Sequence, residues 1–74
     1  MGAIFMGRVR NYGLASGIVM VLEARLSEVS VWKTEEGLVF LGKTEGRMLQ
    51  RFADDLKKDL AKISVVDFFS WFNE

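Results

Sequence analysis

The chain has 74 residues, half of them hydrophobic, and its ten basic and ten acidic side chains cancel. That length holds one domain with a modest core, the apolar share argues against intrinsic disorder, and the charge balance removes any general attraction for phosphate backbone or anionic lipid. Cys and His are both absent, which excludes disulfides and thiol chemistry, takes away the usual zinc ligands, and leaves no cofactor or metal to expect.

Gly2, Gly7, Gly13 and Gly17 punctuate the first quarter, and Ala3 to Val9 reads as a short strand. Arg8 and Arg10 follow the apolar Ile4, Phe5 and Met6, the reverse of a secretory leader, so a cytoplasmic location is expected. The longest uncharged run, Asn11 to Leu22, is shorter than the roughly 20 apolar residues of a membrane helix. From Ile18 to Leu26, Ile18, Met20, Leu22, Ala24 and Leu26 alternate with Val19, Val21, Glu23 and Arg25. That period of two predicts a strand.

Val29 to Thr34 and Leu38 to Leu41 are rich in β-branched, aromatic and aliphatic residues, with Thr34-Glu35-Glu36-Gly37 between them. The pattern predicts a β-hairpin, and with the preceding strand an antiparallel meander. From Thr44 the period changes. Met48, Leu49, Phe52, Ala53, Leu56, Leu60 and Ile63 recur at three- and four-residue spacing against a charged opposite face, predicting an amphipathic helix with Thr44 as its N-cap and an Asp54/Lys58 pair in support. The expected fold is α+β: a small antiparallel sheet of three to four strands packed on one helix, as a single domain over 1–62, followed by a tail over 63–74.

Catalysis at neutral pH draws mostly on His, Cys or a tuned pair of carboxylates. The first two are missing. Glu35/Glu36 fall in the hairpin turn and Asp54/Asp55 on the solvated helix face, where nothing would tune a carboxyl. Gly37 to Thr44 satisfies the spacing G-x-x-x-x-G-K-T of a phosphate-binding loop, but its interior is Leu-Val-Phe-Leu, a strand where the motif needs a loop with inward N–H groups. No enzymatic activity is expected.

The tail reads Ser64-Val65-Val66-Asp67-Phe68-Phe69-Ser70-Trp71-Phe72-Asn73-Glu74. With a sheet face and a helix stripe already assigned to the core, some of these aromatics are expected to stay exposed until a partner covers them. In a single 3₁₀ turn, Val65 and Phe68 project from one side with Phe69 beside them. Lys62-Ile63-Ser64-Val65-Val66-Asp67-Phe68-Phe69 resembles the PCNA-interacting peptide, or PIP box, with Val65 at its aliphatic position and Phe68 and Phe69 at its aromatic pair. Lys62 stands where that box has Gln, and it offers donors but no acceptor.

A small cysteine-free protein with such a tail is similar to the Thermococcales inhibitor of PCNA family. The resemblance implies binding to the DNA sliding clamp through Lys62, Val65, Phe68 and Phe69, and inhibition of clamp-dependent replication. The same residues admit a second reading. Val65, Phe69 and Phe72 are spaced for a short amphipathic helix, and Val65, Asp67, Phe69 and Trp71 alternate as in a further strand. Either would make the aromatic segment part of the protein's own core or of a homo-oligomer interface.

Overall fold

The computed structural model describes residues 2–74. Its first strand, β1 (Ala3–Arg10), lies where the glycine-punctuated apolar run Ala3 to Val9 reads as one. Ala3, Phe5, Gly7 and Val9 point into the core, and Ile4, Met6, Arg8 and Arg10 point away from it. The predicted hairpin is also present, as β2 (Glu28–Thr34) and β3 (Gly37–Thr44). Thr34 and Gly37 close its two-residue loop, where the Thr34 hydroxyl accepts from the Glu36 N–H and donates to the Gly37 carbonyl. Gly37 has φ 146°, and a Cβ there would meet the Val9 carbonyl oxygen at 2.4 Å, so the position requires glycine.

The segment expected as a strand over Ile18 to Leu26 is instead a helix, α1 (Ala15–Arg25). Ile18 and Leu22, one turn apart, are both fully enclosed, and Leu26 follows them into the core. The apparent period of two arose because the uncharged run 15–22 is apolar on every side of the helix, and such a run does not by itself distinguish helix from doubly covered strand. Topology made the choice. β1 and β2 both run antiparallel to β3, and are therefore parallel to each other, and parallel strands need a long crossover, usually a helix.

The amphipathic helix is present as α2 (Gln50–Ala61), with Ala53, Leu56 and Leu60 buried. Thr44 is not its cap. Leu49 is the N-cap residue without a side-chain bond, while the Thr44 hydroxyl accepts from the Ala3 N–H and donates to the Gly46 carbonyl, tying the end of β3 to β1. Asp54 accepts from the Gln50 amide rather than pairing with Lys58.

Residues 63–74 do not hang free of the domain. Val65–Asn73 form β4, antiparallel to β1. The sheet order is β2-β3-β1-β4, and the chain is two interlocked split βαβ units, the ferredoxin-like arrangement. The single-helix, meander-plus-tail layout is thus replaced by two helices and four strands within the same α+β class. Both helices cover one face of the sheet, α1 over β2 and β3 and α2 beside β4.

The core between them is built on close approach. Gly7 faces the Phe40 ring and Gly42 faces Leu26 and Phe5, so that added Cβ atoms would stand 2.5 and 2.7 Å from their nearest neighbours. These two gaps admit the Phe5 ring edge-on to Phe40 at 6.1 Å and stacked with Phe69 at 5.9 Å. Burying each such aromatic contributes about 1.5–3 kcal/mol.

Candidate interaction surface

The helices leave the opposite face of the sheet uncovered. Strand register places its side chains in rows. Trp32, Val39, Arg8 and Phe68 form one row across β2, β3, β1 and β4; Ser30, Leu41, Met6 and Ser70 form the next; Glu28, Lys43, Ile4 and Phe72 form the third. Trp32, Phe68 and Phe72 are 49%, 45% and 54% exposed and Met6 is 40% exposed, so the open face carries an apolar centre with an aromatic residue at each flank. On a small domain, exposed apolar side chains gathered on one face make that face the candidate interaction surface.

Arginine and acid frame one end of it. Asp67 accepts from Arg8 Nε at 3.2 Å and pairs with Arg10 Nη2 at 2.7 Å, while Arg8 also pairs with Glu36 in the hairpin loop. Asp67 owes this position to a β-bulge. Phe68 lies opposite Arg8 and Val66 opposite Val9, leaving Asp67 as the extra residue. The bulge also puts Val65 and Phe68 on the same face, which residues three apart in a regular strand could not share.

Each residue expected to bind a partner can now be located. Val65 and Phe68 lie on the open face, both nearly half exposed. Phe69 points the other way, half-buried against Phe5 and Phe40. Lys62 caps the end of α2 and pairs with Asp59 at 3.5 Å, apart from the open face. The structure therefore brings together two of the four. Because 63–74 is extended, the single-turn geometry that would group Val65, Phe68 and Phe69 is absent from the folded chain. The further strand is present with Phe69 and Trp71 inward, but the bulge breaks the alternation and leaves Val65 and Asp67 on the other side.

Met6, Trp32, Phe72 and the arginine pair were not among the expected site residues. A signal for them existed. Ile4 and Met6 alternate with Phe5, Gly7 and Val9, so β1 is apolar on both faces; a strand with two apolar faces implies a second covering layer, and the described residues supply one.

A depression of about 290 Å³ at the start of α2 is lined by Arg25, Thr44, Arg47, Met48, Leu49 and Phe52, with no carboxylate among them. Among the described residues no group of three or more His, Cys, Asp or Glu side chains could hold a metal ion. No helix of the described residues is long and apolar enough to cross a membrane.

No family model matches the chain, and no curated protein matches it. Among solved structures it is similar to an acylphosphatase from Bacillus subtilis, at 19% identity and a TM-score of 0.56, over 100% of this chain and 86% of that one. At that identity the likeness establishes the α+β fold alone.

Proposed function

We propose that this chain is a non-catalytic protein-interaction module that works through the open face of its sheet. The observation that carries the reading is the exposed apolar surface formed by Met6, Trp32, Phe68 and Phe72 on a sheet whose other face is already covered. The chemistry of the chain supports the non-catalytic part. It has no His or Cys, and Asp67, well covered at 14% side-chain exposure, is already engaged by two arginines. An acylphosphatase assay is the direct check, because turnover above background would overturn this part of the reading.

Association with a different protein is tested by gel filtration with light scattering of the chain mixed with an archaeal sliding clamp. Phe68→Ser combined with Phe72→Ser removes exposed side chains and leaves the core intact, so circular dichroism is unchanged while association is lost. Association that survives this double substitution and Trp32→Ser would reject the open face as the binding surface.

A narrower form of the proposal keeps the sliding clamp as partner and inhibition of replication as the outcome. It is favoured by the shared exposure of Val65 and Phe68. To present Phe69 as well, β4 would have to leave β1 and Phe69 its stack on Phe5, so clamp binding would be coupled to local unfolding. A peptide spanning residues 62–74 then binds the clamp more tightly than the intact chain. If neither binds, the clamp has no place in the function.

A further inference from the structure

We infer that β4 is a homodimerisation edge: it pairs antiparallel with β4 of a second copy, joining two four-stranded sheets into one of eight strands. This deepens the interaction-module reading by naming a partner, but it rests on a different feature, the free backbone edge of β4 rather than the open face.

The backbone groups at that edge follow from one hydrogen bond. Glu74 N–H donates to the Gly2 carbonyl at 2.8 Å, and the pairing between β1 and β4 is regular from there to Arg8 and Phe68. Antiparallel strands alternate between bonded and non-bonded pairs. The Phe72, Ser70 and Phe68 backbone groups therefore face β1, whereas those of Asn73, Trp71 and Phe69 face outward from the last strand of the sheet. Three consecutive outward positions form a template for another strand.

Natural edges are commonly blunted by lysine, proline or inward-pointing charge. The opposite edge, β2, is treated in this way, since it carries Glu28 and an inward-side Lys33. In β4, Val-Val-Asp-Phe-Phe-Ser-Trp-Phe-Asn has no lysine or proline, and its one charge, Asp67, is paired within its own subunit. No like charges meet when β4 is laid against itself.

The bulge at Asp67 limits the straight part of the edge to 68–73. An axis at Trp71 uses that stretch alone, setting Trp71 against Trp71 and Phe69 against Asn73 of the second copy. A two-fold contact of this kind closes on itself, whereas β4 against the β2 edge of another copy would propagate into an open filament and place Glu28 and Lys33 against aromatics. The second copy of β4 is the occupant that satisfies both conditions.

Light scattering across a concentration series, with amide hydrogen exchange resolved by NMR at each point, tests the inference. The mass doubles with concentration, and the Phe69 and Trp71 amides slow together by about ten-fold or more as it does. Ser70→Lys, on an exposed side chain beside the axis, returns the chain to a monomer with unchanged circular dichroism, while Trp32→Ser on the far flank leaves the dimer in place. A doubled mass with the Phe69 and Trp71 amides still exchanging freely would overturn edge pairing and leave the open face as the contact. A chain that stays monomeric throughout the series would also overturn it, while binding of another protein sensitive to Phe68→Ser with Phe72→Ser would still support the open-face reading.

Discussion

Phe68 and Phe69 are adjacent in sequence and chemically identical, yet they stand on opposite sides of one strand. Phe69 stacks on Phe5 at 5.9 Å and lies 6.3 Å from Phe40, while Phe68 is 45% exposed over the open face. The inner face of the sheet is closed by two helices and the outer face by no element among the described residues. An aromatic residue on the first contributes to folding, and one on the second stays exposed to solvent.

The comparison breaks most clearly through stability. Leu22→Ala, in the fully enclosed position of α1, costs about 2–5 kcal/mol, whereas Met20→Ala on the exposed side of the same helix changes stability by about 0.5 kcal/mol or less. Urea unfolding of the two variants checks this, and equal effects would contradict a helix over Ala15–Arg25. Phe69→Ala is expected to cost about 3 kcal/mol and Phe68→Ala less than about 1 kcal/mol in the same measurement. A reversed order would place the wrong face of β4 inward.

Gly7→Ala sharpens the point without removing any contact. Its new methyl meets the Phe40 ring and the Phe68 carbonyl at 2.5 and 2.6 Å, and overpacking of this kind costs about 1–3 kcal/mol. A neutral effect would mean that Phe40 and Phe69 are not held against β1. The smallest effect belongs to the frame of the open face. Asp67→Asn removes the charge paired with Arg8 and Arg10, two partly exposed partners, and lowers stability by about 1 kcal/mol or less, with the loss shrinking as salt is raised. A larger, salt-independent loss would show that the bulge itself depends on the carboxylate.

Two stretches of the sequence are ambiguous for one reason. Ile18 to Leu26 and Val65 to Asn73 are both apolar stretches whose local pattern suits more than one structure. Over Ile18 to Leu26, the alternation of Ile18, Met20, Leu22, Ala24 and Leu26 favoured a strand, and the helix prevailed because β3 separates β1 from β2. Over Val65 to Asn73, the likeness to a binding peptide drew Lys62, Val65, Phe68 and Phe69 into one site, yet the strand assigns Phe69 to the core and leaves Lys62 on α2. The exposed apolar surface draws Met6, Trp32 and Phe72 from strands far apart in the chain, and no local window contains that combination.

From the residues alone came the α+β class, the β2-β3 hairpin with its Gly37, the amphipathic α2 and a strand at Ala3 to Val9, since each depends on neighbours a few positions apart. The tertiary structure decided that α1 is a helix, that 65–73 is the fourth strand, and that the bulge turns Val65 and Phe68 outward together. These outcomes depend on pairings such as Gly7 with Phe69 and Phe40 with Val31. A strand acquires an inside only when another element covers it, and in this fold the covering elements lie far along the chain.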